Sequence, residues 1–86
     1  MVKQIQLTRN QVALVDNEDF EYLNQWKWCS NVAGYAVKRL TTKKDGKITS
    51  TEVIYMHRLI MGNPAGMEID HVNNKKSDNR RSNLRV

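Results

Sequence analysis

Apolar and polar positions change period several times along the 86 residues, and each change marks an expected element. Residues 3–8 (KQIQLT) and 11–15 (QVALV) alternate or cluster apolar side chains around Arg9 and Asn10, the pattern of a short hairpin. Asp16 or Asn17 then offers a capping side chain. Phe20 and Leu23 follow at helical spacing with acids in the first turn, which predicts a short helix over 18–25. From Trp26 the period becomes two. WKWCS, a turn around Asn31 to Gly34, and YAVKRLTT give two strands. KKDGK supplies Asp45 and Gly46, a dipeptide that accepts positive φ in a tight hairpin, and ITSTEVIYM returns as a third strand. The expectation is a three-stranded antiparallel meander over about 26–56.

Beyond the meander, HRLIMG predicts one or two helical turns, stopped by Gly62, Asn63 and Pro64, with NPAG as a loop. MEIDHV reads as a short strand. Residues 73–82 contain no apolar side chain and cannot build core, so their composition calls for another explanation. The length allows one small domain with a thin core, and the expected architecture is α+β, predominantly antiparallel β with short helices. Within the single domain 1–86, residues 1–56 form the β-rich part and 57–86 the remainder. Trp26 and Trp28 share one side of their expected strand, a position that favours packing between sheet and helix over stacking on bases.

No apolar run reaches the length of a membrane span, and MVKQIQLTRN lacks the apolar stretch of a secretory leader. Cys29 is the single cysteine; it has no disulfide partner or CxxC pairing, reads as a small strand residue, and suits a reducing compartment. The expected location is therefore the cytoplasm. The formal charge of +5 is unevenly spread. Residues 16–21 (DNEDFE) hold four acids, whereas 75–85 hold Lys75, Lys76, Arg80, Arg81 and Arg85 against Asp78. Such a basic loop suits an anionic polymer, and a solvated charged turn is the plainer alternative. Lys38, Arg39, Lys43, Lys44 and Lys47 cluster around the second hairpin, where contact with phosphates and protection of a sheet edge are both open.

Asp70 and His71 are adjacent on a β segment, so their side chains leave on opposite faces unless the strand is turning. That suits a division of labour in phosphodiester hydrolysis, with an acid for a cation and a histidine to take a proton from the nucleophile. Local hydrogen bonding is the commoner fate of an Asp-His pair. The block Y-x-H-R-L-I-M-x-N-P-x-G-x-x-x-D-H-x-N-x-x-x-x-D-N-R-R-S-N-L-R, from Tyr55 to Arg85, resembles the HNH endonucleases of phages and mobile introns, the homing type. The stretch ALVDNEDFEYLNQWKW and the following GYAVKR are similar, more loosely, to the segment that often precedes that motif.

The resemblance implies a ββα-metal hairpin, His71 as general base, Asp70 as ligand of one divalent cation (Mg²⁺ or Mn²⁺), and Asn83 supporting the loop and orienting the histidine. DNA is the implied partner, held by Lys75, Lys76, Arg80, Arg81 and Arg85. His57 falls in the same block but outside the residues assigned chemistry, and reads as structural. Asn73, Asn74, Asp78 and Asn79 read as turn-forming. The family pattern continues, after the position of Val86, into a helix bearing a second metal ligand. The hairpin is thus expected to be incomplete, the metal weakly bound and nicking impaired. Ile69, Leu84 and Val86 would then be covered by the 26–56 sheet or by a second copy of the chain. Two other readings remain: a non-catalytic module that binds nucleic acid, and a phage-type protein that reuses the fold to inhibit a host protein, with residues 16–21 as a candidate surface.

Overall fold

The computed structural model describes residues 2–62 and 66–86, so most of the expected NPAG loop lies outside the described residues. Strands β1 (Val2–Gln6) and β2 (Val12–Asp16) form the first hairpin. Its turn places Arg9 (φ 61) and Asn10 (φ 58) in the left-handed region, and the Gln11 N–H closes it on the Thr8 carbonyl at 3.2 Å. Alternation buries Ala13 and Val15 on one face of β2, with Ile5 opposite Ala13.

Helix α1 (Asn17–Leu23) follows directly, about a residue earlier than its apolar spacing predicts. Asp16 occupies the N-cap position, but its side chain makes no capping bond. The carboxylate instead accepts the backbone N–H of Arg81 at 3.0 Å, a long-range bond that outcompetes the local one. Glu18 and Asp19 stand in the first turn, where negative charge favours the helix.

The meander is present as β3 (Cys29–Ser30), β4 (Ala36–Lys44) and β5 (Lys47–Tyr55), antiparallel in that order. Its first strand is shorter than WKWCS suggests, because Trp26 and Trp28 are used for packing rather than pairing. Trp28 is buried and donates from Nε1 to the Leu23 carbonyl at the end of α1 at 2.8 Å. Trp26 lies edge-on to it at 6.4 Å. Asp45 (φ 54) and Gly46 (φ 77) make the expected tight turn. From Arg39 to Val53 both strands are exposed along their whole length, so β4 and β5 project from the body as a two-stranded ribbon.

Helix α2 (Met56–Ile60) continues from β5 and ends before Gly62, whose φ of 79 serves the reversal that follows a helix. The MEIDHV strand shrinks to β6 (Asp70–His71), paired antiparallel with β7 (Leu84–Arg85). Ile69 and Leu84 join a core cluster with Ile5, Leu7, Ala13, Val15, Leu23, Trp28, Ala36, Met56 and Ile60. They share that cluster with residues of the first hairpin, of both helices and, from the 26–56 segment, with Trp28, Ala36 and Met56. Val86 stays exposed.

Candidate active site

The polar loop between β6 and β7 has no apolar anchor, so it is held by hydrogen bonds. Leu14 of β2 receives it: Leu14 N–H donates to the Ser77 carbonyl at 2.9 Å and the Asn79 N–H donates to the Leu14 carbonyl at 2.7 Å. Asp78 is buried and accepts from Arg80 Nε (2.7 Å) and Nη2 (2.6 Å) and from Asn73 Nδ2 (2.9 Å). The Arg80 guanidinium, more than any other neighbour, holds the Asp78 carboxyl below the usual carboxylate range, against the opposing effect of burial. Asn73 Oδ1 also accepts the Lys75 N–H at 2.9 Å, a true Asx turn.

Asn83, in a 3₁₀ turn over Arg81–Asn83, completes this knot. Its Nδ2 donates to Asn73 Oδ1 and to the Asp78 carbonyl, both at 2.9 Å, while its Oδ1 accepts the Asn73 N–H at 3.1 Å. All of its side-chain bonds go to the loop. The partner of His71 is Asn79, which is fully buried: the His71 Nε2 lies 2.8 Å from Asn79 Oδ1. An amide oxygen can only accept, so Nε2 carries the proton, and in the neutral ring Nδ1 keeps its lone pair. The side chain therefore has a fixed ring position and a fixed tautomer, and only 4% of His71 is exposed.

His71 and Asp70 line one small cleft of ≈ 90 Å³ with Tyr35, Ile69, Asn74 and Lys76. Asp70 is exposed and accepts from Arg85 Nη2 at 3.0 Å, an open ion pair that contributes little to stability. Asn83 stands outside the cleft lining. The larger groove, of ≈ 460 Å³, runs along β5 and α2 past Glu52, Tyr55 and Arg58 and contains no imidazole. Only the smaller one joins an acid to a histidine.

His57 of α2 lies behind the cleft, its ring 5.0 Å from that of His71 and stacked on Tyr35 at 5.3 Å. Burial, followed by the charges of His71 and Arg58, lowers its pKa to about 4. It is therefore neutral near pH 7. Its Nδ1 and the Nδ2 of Asn79 are buried without a hydrogen-bond partner among the described residues. His57 is marked in the sequence only by its place in the H-R-L-I block, whereas Tyr35 lies outside that block and an asparagine inside a polar loop carries no local mark of a long-range task.

The basic loop is less available than its composition suggests. Arg80 pairs with Asp78, Arg85 with Asp70, and Arg81 donates to both carboxylate oxygens of Asp19 at 2.9 and 3.0 Å. The acidic stretch at 16–21 and the basic loop thus neutralise one another in part, since Asp16 and Asp19 are both engaged by Arg81. Lys75 and Lys76 make no ion pair among the described residues, and Lys76 Nζ sits 4.9 Å from the centre of the Tyr35 ring. The described residues contain no group of three or more His, Cys, Asp or Glu side chains placed to hold a metal, and no helix long and apolar enough to cross a membrane.

Comparison with known families matches residues 55–86 to the HNH endonucleases. No curated protein and no solved structure gave a match. The matched segment contains α2, β6, the knotted loop and β7, which is every element that builds the cleft except Tyr35. That family is of nuclease type, its members generally use a divalent metal, and it points to DNA as partner. Residues 55–86, with the Asp70–His71 pair at their centre, are what the chain shares with the HNH endonucleases.

Proposed function

We propose that the protein is a DNA endonuclease of the homing type in which His71 is the general base. The observation that carries this reading is the bond from His71 to the fully buried Asn79, which leaves Nδ1 as the proton acceptor beside a cleft that Asp70 also lines. Nδ1 takes a proton from the attacking water, and the imidazolium so formed is supported by the Asn79 oxygen on the other side of the ring. Asn83 acts at one remove. It fixes the loop through Asn73 and Asp78, and the loop in turn carries Asn79 to the ring.

The donors present fit a hydrated divalent cation that shares its shell with a substrate phosphate. Asp70 supplies one exposed carboxylate, and a hard ion such as Mg²⁺ usually keeps several waters and takes one or two carboxylates. When bound, the ion would offset phosphate charge. With a single carboxylate, already paired to Arg85, its affinity for the free protein is low. Lys75 and Lys76 hold the DNA backbone, Arg85 exchanges Asp70 for a phosphate, and Arg80 and Arg81 shape the loop from within their ion pairs.

The same Asp70–Arg85 pair favours a second reading, a non-catalytic module that keeps the nucleic-acid surface. Conversion of supercoiled plasmid to the open-circle form with Mg²⁺ or Mn²⁺ separates the two. Nicking by the parent and background rates for His71→Ala support the endonuclease. Retention of DNA by the parent without any nicking supports the module, and equal nicking by both proteins rejects His71 as base.

A further inference from the structure

Taking a proton from water is half of an acid–base cleavage, because the oxygen that leaves phosphorus must gain one. His71 performs the first half. The second needs a group that carries a proton and lines the same cleft. Tyr35 lines it, and is its one lining residue outside the segment matched to the HNH endonucleases. We propose that Tyr35 is a further catalytic residue, the general acid whose phenol gives its proton to the leaving oxygen. The assignment rests on the endonuclease reading, of which it is the complementary half.

Placement is the first support. The Tyr35 and His71 rings have their centres 6.0 Å apart and are tilted by 54°. Base and acid therefore stand side by side on one cleft. Of the other lining residues, Ile69 is apolar, Asp70 is assigned to the cation, and the amide of Asn74 is no acid. Lys76 is exposed, and its Nζ stands 4.9 Å from the centre of the Tyr35 ring, where its charge favours the phenolate that the transfer leaves behind.

Rigidity is the second. Asn31 fixes the Tyr35 backbone twice: its Oδ1 accepts the Tyr35 N–H at 2.9 Å and its N–H donates to the Tyr35 carbonyl at 3.0 Å. The ring is stacked on the buried His57 at 5.3 Å and meets Tyr55 edge-on at 5.5 Å. The third support is the hydroxyl itself, which makes no hydrogen bond among the described residues. A phenylalanine would make the same ring contacts, so packing does not account for the oxygen, and its proton is uncommitted. In the step, the bond from phosphorus to the leaving oxygen breaks and its electron pair stays on that oxygen, which takes the Tyr35 proton. The phenolate regains a proton from solvent after the product departs.

The test uses the full chain and a duplex with a mapped nick site, made once with its natural bridging oxygens and once with sulfur in place of the oxygen that leaves. A thiolate is a far weaker base than an alkoxide and departs without a proton. Tyr35→Phe keeps the ring, and its unfolding free energy from urea titration is expected to equal the parent's. The proposal predicts that Tyr35→Phe cuts the oxygen duplex at least about 100-fold more slowly than the parent at an unchanged KM, yet cuts the sulfur duplex at the parent rate. His71→Ala is slow on both. A Tyr35→Phe protein that cuts the oxygen duplex like the parent, or is slowed equally on the two, would overturn the acid and leave the endonuclease reading standing. So would a parent that cuts the oxygen duplex but not the sulfur one. A parent that nicks no DNA would overturn both.

Discussion

At the scale of single residues, the site depends on amides that position an imidazole. Removing the Asn79 side chain leaves the His71 Nε2 buried without an acceptor, a defect of roughly 1–3 kcal/mol. Asn79→Ala is therefore expected to lower the unfolding free energy from urea titration by that amount; an unchanged value would mean that the bond contributes nothing. His57 gives a pH-dependent effect. The unfolded histidine binds a proton below about pH 6.5, but the folded one does not until about 4, so the unfolded state holds more protons between those values. Stability is full above that window, declines as pH falls through it, and is lower by at most about 3 kcal/mol at its acid end. His57→Phe should remove this slope in urea titrations at pH 7 and 4.5, and a slope equal to the parent's would assign it elsewhere. Asp78, held low by Arg80, adds a further loss at still lower pH as its carboxylate protonates.

At the scale of elements, local chemistry and long-range ties were unequally legible. The Asp45-Gly46 turn, the first hairpin and α1 follow from short-range rules and appear where those rules put them. Asp16 did not behave as a cap because its partner, Arg81, is 65 residues away in sequence. Asp19 meets the same arginine across 62 residues. Neither distance leaves a periodic trace, so the acidic stretch looked like a free surface and the basic loop like an open patch. WKWCS has strand composition throughout, yet the indole of Trp28 is better satisfied by the end of α1 than by a neighbouring strand. A double-mutant cycle on Asp19→Ala and Arg81→Ala should give a coupling of about 0.5–1 kcal/mol, modest because the arginine is half exposed. No coupling would mean that the ion pair adds nothing to the joint that the Asp16–Arg81 backbone bond and the core already make.

At the scale of the whole molecule, one apolar cluster draws on both the β-rich part and the family-matched segment, with Ile5, Val15 and Leu23 beside Met56, Ile69 and Leu84. The two parts are accordingly expected to unfold as one unit. Leu84→Ala should cost about 2–5 kcal/mol and shift tryptophan fluorescence and far-UV circular dichroism together, although both tryptophans lie in the other part. Separate midpoints would divide the chain. The proposal with most at stake is that His71, held by Asn79, takes a proton at Nδ1 during DNA hydrolysis. The most direct measurement is the initial rate of metal-dependent plasmid nicking by the parent, Asn79→Ala and His71→Ala proteins, each confirmed as folded. The account predicts a measurable parent rate, a rate reduced about 10- to 100-fold for Asn79→Ala, and background for His71→Ala. A His71→Ala protein that nicks at the parent rate would contradict it.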